Sequence, residues 1–454
     1  MTATDSGKKE AGGSSALKSL VYVSGQFGGN LPNLIFSGWV LYFYTNDEGR
    51  AQPLISMYIM GAALICGRIV DALADPLIGF WSDKTHTRIG RRRPFILIGA
   101  PLMVGSFILL FRPMFPAGSA ALVVSTIVIM GLFWFFFTAV MGPYLSLMPE
   151  LAETSKQRVG MTTYMAVAFL IANAYQGFIA ARMVDAHGWN LGYFNMALIS
   201  GALSIVFLYV TGLGVREKYV APAKTEAPEE KYSMFQAFAW TFKNKAFVVY
   251  IFSSVMQYLG FASLTASIPY IVTRLMGKTE SFVGVVYAVS IPGFVISFFI
   301  INILTKKLGK VTLYKYCMLM LACVLPALFL IGRVDLPVSP TNAGLILIAI
   351  LSFPIAGNMV LPMAILADVA DYDEKLTGHR REAMYFGMQG FLQKAATAMS
   401  QGIQALLFGY FGYSAGNTLG INLLGPVAGF FGFLGFLVFL KYPLSDRPGA
   451  EAKG

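Results

Sequence analysis

The sequence predicts an all-α protein that crosses a membrane twelve times, in two halves of six helices. Three observations predict it. Only 13% of the 454 residues are charged and 56% are hydrophobic, whereas soluble globular chains carry about 25% charged residues. The apolar residues gather in blocks of about 20 or more, the length that covers a hydrocarbon core of ~30 Å. The basic residues collect on alternate connecting loops, the pattern that membrane insertion imposes.

Taken in order, residues 1–19 form a polar N-terminal tail. Met1 to Lys18 lacks the apolar run of a signal peptide, so the first helix is expected to act as its own uncleaved insertion signal. Six apolar spans fill residues 20–215: Leu20–Tyr44, Pro53–Trp81, Pro94–Phe111, Ala120–Leu147, Gly160–Ala181 and Leu191–Val215. Residues 216–245 are a linker, with Pro222, Pro228 and a run of mixed charge from Lys224 to Lys231. Six more spans fill residues 246–442: Ala246–Val272, Ser281–Leu304, Val311–Ile331, Ala343–Leu366, Met384–Tyr410 and Leu419–Phe439. Residues 443–454 are a second polar tail. Pro143, Pro292, Pro354 and Pro426 fall inside spans, where neighbouring helices can satisfy the backbone groups that proline frees.

The net charge of +11 is explained by this topology. One set of loops holds only Arg50, Arg112, Arg182, Arg274, Lys278 and Arg333. Arg68 and Lys394 lie within spans, and every other Lys and Arg falls in the tails and the opposite loops. The asymmetry puts both termini in the cytoplasm and accounts for the basic balance without a nucleic-acid partner. Cys66, Cys317 and Cys323 lie apart in apolar segments and read as small core residues, with no metal spacing and no disulfide framework. There is no phosphate-binding glycine loop and no nucleophile elbow, so neither an ATPase nor another enzyme is expected, and no cofactor.

Charges inside a bilayer are expensive and mark function by default. The second span reads Arg68-Ile69-Val70-Asp71-Ala72-Leu73-Ala74-Asp75-Pro76. A spacing of four puts Asp71 and Asp75 on one helix face, with Arg68 one turn before Asp71. Two acids and one base leave one negative charge for a proton, a Na⁺ ion or a basic residue to neutralise; a structural ion-pair network is the alternative. Lys394 is the only basic residue deep in the second half. It needs a counter-charge, for which the second-span acids are candidates, or else snorkels to an interface. Thr138 can add a hydroxyl ligand from the fourth span, or bond its own backbone. Asn30 and Gln389 can bind a polar solute or join helices. The loop from Gly79 to Pro94 carries Asp83, Arg91 and Arg92, which suit a gating or coupling network on the cytoplasmic face, or a purely topogenic role. Arg88-Ile89-Gly90-Arg91 and Lys307-Leu308-Gly309-Lys310 follow the second and eighth spans, suggesting an internal repeat.

The second-span motif and Arg88-Ile-Gly-Arg-Arg-Arg-Pro94 resemble those of the glycoside–pentoside–hexuronide:cation symporter family, melibiose-carrier-like members of the major facilitator superfamily. Pro143-Tyr144-Leu145-Ser146-Leu147, Asp368-Val369-Ala370-Asp371-Tyr372-Asp373-Glu374 and Gly378-His379-Arg380-Arg381-Glu382 extend the resemblance. It implies the major facilitator fold and a symporter in the inner membrane that moves a small solute, a sugar or glycoside, by alternating access. Asp71, Asp75 and Thr138 match the family's cation ligands, Lys394 its eleventh-helix lysine, and Gln389 a polar position near the sugar. Ala74, Met141 and Asn30 stand where the family has an asparagine, an acid and a sugar-binding Asp, and Met165 and Ala166 lie near the place of its fifth-span arginine. The coupling ion, Na⁺ or H⁺, therefore stays open. An amphipathic solute is the second expectation, and a non-transporting receptor or scaffold on the same fold the third. The partners expected are the solute, the cation and the lipid bilayer, with the chain acting as a monomer.

Overall fold

The computed structural model describes residues 6–46, 52–152, 155–187, 189–215, 217, 240–335, 337–378 and 381–444. The chain divides into two compact units, Met1–Thr225 and Glu226–Gly454.

The first unit contains α1 (Ser6–Thr45), α2 (Met57–Lys84), α3 (Arg93–Leu110), α4 (Ala120–Ser146), the one-turn α5 (Met148–Leu151), α6 (Ser155–Tyr175), α7 (Ala181–His187) and α8 (Trp189–Gly214). A π-turn, Gln176–Ala180, joins α6 to α7 into one span. The helices pack as α2 on α4, α3 on α4, α3 on α8, α1 on α8 and α1 on α6.

The second unit contains α9 (Lys245–Ala266), α10 (Val283–Leu308), α11 (Lys310–Val324), α12 (Pro340–Thr377), α13 (Glu382–Phe411) and α14 (Leu419–Phe439). Its main packing pairs are α10 on α12, α11 on α12, α11 on α14, α9 on α14 and α9 on α13. Counted from each unit's own first span, these are the same five pairs. The internal repeat suggested by two short basic loops is thus written into the packing. Both loops also share one backbone device: Gly90 (φ +116°) and Gly309 (φ +82°) take up positive φ just before α3 and α11 begin.

Large apolar side chains such as Leu73, Ile98, Val128 and Phe299 are exposed. A protein surface of this kind suits lipid, where helices satisfy their own backbone groups. Cys317 is buried, but Cys66 and Cys323 lie on exposed faces rather than in the core as the sequence suggested; in a lipid-facing protein an apolar segment has no single inward side. Among the described residues ten helices are long and apolar enough to cross a membrane. The remaining two spans, α1 with 40 residues and α13 with 30, are long enough but more polar. They carry Gln26 and Asn30, and Gln389, Gln393, Lys394, Gln401 and Gln404. Polar groups persist in a membrane helix when they face protein or a hydrated cavity.

Candidate functional site

The site starts from the seam between α2 and α4. Gly67 lets the two helices approach, because a Cβ there would sit 3.0 Å from the Trp134 ring of α4. One turn further along α2, Asp71 is buried, with 1% of its surface exposed. Thr138 of α4 donates its hydroxyl proton to Asp71 Oδ1 at 2.9 Å. Arg68 Nη1 lies 3.5 Å from Asp71 Oδ2, and its guanidinium carbon stands 3.8 Å above the Trp134 ring centre. One face of the guanidinium is thus met by an aromatic quadrupole and one edge by a carboxylate, the two partners that make a buried cation tolerable. Among the described residues the Arg68 Nε and Trp134 Nε1 protons have no hydrogen-bond partner, so the pair is held by charge and ring contact more than by saturated hydrogen bonding.

Asp75 does not share these surroundings. Four residues further along α2, Asp75 is exposed. The two acids expected to share one site thus differ in surroundings, Asp71 being buried and Asp75 exposed. Asn30 is buried on α1 and donates to the Gln26 carbonyl at 2.8 Å, within its own helix. Gln389, on α13 of the second unit, is buried and accepts from the Tyr250 hydroxyl at 3.0 Å. Lys394 lies half-buried one turn further along that helix. The Asp83 side chain lies outside the described residues.

Arg91 and Arg92 converge on one acid. Their guanidinium groups reach Glu150 Oε1 of α5 at 2.8 and 2.6 Å, and Arg92 also donates to the Ser146 carbonyl. Glu217 sits against the start of α3, where its carboxylate accepts from the backbone N–H groups of Arg91, Arg92 and Arg93 at 2.8, 2.9 and 2.8 Å. Arg93 completes the knot by donating to the Gly212 and Leu213 carbonyls at the end of α8. In the second unit Lys310, just after Gly309, pairs with Asp368 of α12, and Arg381 bonds Asp373 at 3.1 Å.

Sequence reasoning missed Trp134, Glu217 and the polar wall formed by Gln257, Tyr258, Asn358 and Gln393. Trp134 is four residues before Thr138 and so shares its helix face, which was a usable signal. Glu217 lies in a charged linker where nothing in the sequence sets it apart.

Two units of six spans each, with the same packing pairs in both and exposed apolar side chains, have the form of a multi-pass membrane transporter of the major facilitator fold. Residues 21–446 match the family described as MFS/sugar transport protein, and the chain belongs to that family. It is 27% identical to the uncharacterized symporter YnaJ of Bacillus subtilis (strain 168), over 88% of this chain and 84% of that one. It is 25% identical to the isoprimeverose transporter of Lactiplantibacillus pentosus, over 87% of this chain and 80% of that one. The inward-open xylose transporter XylE from E. coli has a similar fold, with a TM-score of 0.68 at 14% identity, over 95% of this chain and 97% of that one.

Proposed function

We propose that this protein is a cation-coupled symporter that carries a sugar or glycoside across the inner (plasma) membrane by alternating access, with both termini in the cytoplasm. The observation that carries the coupling is the Asp71 carboxylate, buried between Arg68 and Thr138. The symporter and sugar-transporter names of the relatives support the same reading.

In this reading Asp71, Thr138 and Asp75 supply oxygen donors of the kind that hard cations prefer. Arg68 already neutralises Asp71, so an arriving Na⁺ or H⁺ competes with the guanidinium for the carboxylate. The cation weakens the Arg68–Asp71 contact and leaves Arg68 resting on Trp134. A charge exchange of this kind gives the carrier two arrangements of the α2–α4 seam, and coupling follows when solute and cation favour the same one. Asn30, Gln389 and Lys394 are the solute-side candidates. Asp83, Arg91 and Arg92 are the gating candidates, the last two through Glu150. The carrier works as a monomer in the bilayer and needs no cofactor and no nucleic acid.

The test is uptake of a radiolabelled sugar into proteoliposomes under an imposed Na⁺ or H⁺ gradient. One gradient is expected to drive accumulation, and Asp71→Asn to abolish accumulation while leaving downhill exchange. Full gradient-driven uptake by Asp71→Asn would show that the coupling acid lies elsewhere.

A further inference from the structure

A cavity of about 270 Å³ lies within the second unit, walled by α9, α11, α12 and α13. Its polar wall is Ser254, Gln257, Tyr258, Asn358, Gln389 and Gln393, and none of the described residues that line it is charged. The apolar wall includes Phe261 and Tyr314.

Much of the hydrogen-bonding capacity of this wall is unspent. Gln389 is oriented by Tyr250, whose hydroxyl meets both Gln389 Oε1 at 3.0 Å and the Pro362 carbonyl at 3.1 Å. That leaves the Gln389 amide protons for another acceptor. Asn358 donates to the Pro354 carbonyl at 2.9 Å, which leaves its own side-chain oxygen as an acceptor. Pro362 has no N–H to give to the Asn358 backbone carbonyl four residues earlier. The Tyr258 hydroxyl and the Gln393 amide have no hydrogen-bond partner among the described residues. Donors and acceptors are therefore mixed around a chamber whose size is near the lower end of small-molecule pockets, ~300–1,000 Å³.

We propose that this chamber binds one uncharged, hydroxyl-rich ring of the transported solute, with Tyr258, Asn358 and Gln393 as specificity-determining residues. A ring bearing hydroxyl groups both gives and takes hydrogen bonds, as the amide and phenol wall requires, and its C–H faces suit Phe261 and Tyr314. A carboxylate fits less well, because it would find no cation among the described residues of the wall to pair it. Lys394 follows Gln393 in sequence but does not line the chamber. Helices interrupted by proline mark binding sites in transporters of this kind, and α12 brings both Pro354 and Pro362 to this place. The assignment rests on the sugar-transport reading above and narrows it to neutral rings.

The experiment is thermal shift and equilibrium binding on the purified full chain. The neutral probes are melibiose, lactose and D-xylose, and the charged probe is methyl β-D-glucuronide. At least one neutral probe is expected to bind and the glucuronide is not. Tyr258→Phe removes one hydroxyl that bonds none of the described residues, so it should leave the melting temperature of the unliganded protein unchanged and weaken the neutral probe about tenfold. Gln393→Ala should do the same. Unchanged affinity in both variants, binding of the glucuronide as tightly as the neutral probe, or no binding of any neutral probe overturns the proposal. If a neutral sugar binds and is driven by a cation gradient while both variants bind it normally, the chamber assignment fails and the symport reading stands. If Asp71→Asn also leaves the thermal response to Na⁺ and pH unaltered, the symport reading fails with it.

Discussion

The Asp71 carboxylate and the Arg68 guanidinium hold each other in a place where neither is stable alone. Arg68 is only 12% exposed and Asp71 1%, so removing one partner strands a charge in an apolar seam. Breaking a buried pair in this way typically costs ~3–5 kcal/mol, while replacing both partners together is far milder. Asp71→Asn should therefore lower the melting temperature of the purified protein more than the double variant Asp71→Asn, Arg68→Gln does. A double variant less stable than the single one would mean that Arg68 is anchored by Trp134 and not by Asp71. Thr138→Val separates the two kinds of contact. It removes a hydrogen bond to a charged acceptor, worth ~1.5–3 kcal/mol, while leaving the ion pair in place, so a smaller fall in melting temperature is expected than for Asp71→Asn.

At the scale of the element, α3 depends on a residue far from it in sequence. The first N–H groups of a helix have no partner within it and attract anions. Here the Glu217 carboxylate accepts from the N–H of Arg93, the first residue of α3, from that of the N-cap Arg92 and from that of Arg91 just before the helix. Gly90 makes room for that carboxylate: a Cβ at this position would lie 2.5 Å from Glu217 Cδ, and the backbone there has φ +116°. Two effects oppose Gly90→Ala, the positive φ and the displaced cap. Glu217→Ala should cost about 1–2 kcal/mol of stability, the scale of a lost helix cap. Gly90→Ala should cost at least as much, and the double variant less than the sum, because the alanine methyl no longer meets a carboxylate. Thermal unfolding of the four proteins checks this; strict additivity would show that Gly90 acts through its backbone alone. The equivalent Gly309 stands before α11 with the same sign of φ. The glycine in both basic loops thus has a physical reason that the sequence repeat alone did not supply.

For the whole molecule, the helix count was legible because it rests on length and apolar content, which a sequence carries directly. The site was legible only in part. Asp71, Thr138 and Arg68 announced themselves as polar groups in apolar helices, but which of them touch depends on how α2 and α4 are rotated. A threonine is equally satisfied by its own backbone, and the sequence spacing alone does not say that Asp71 is buried and Asp75 exposed. The chamber in the second unit was hidden for a similar reason, since its four amides come from three helices and only Gln389 was singled out. Orientation in the membrane is an expectation drawn from the basic loops, and it can be tested with α3. Its 18 residues span about 27 Å, so the loops at its two ends must emerge on opposite faces. The loop before it carries Arg88, Arg91 and Arg92, and the loop after it carries only Arg112. By the positive-inside rule the first belongs to the cytoplasm. Thr87 and Met114 are exposed positions in these loops. With the three native cysteines replaced, Met114→Cys should react with a membrane-impermeant maleimide on intact cells, and Thr87→Cys only after permeabilisation. The reverse pattern would place both basic loops and both termini outside.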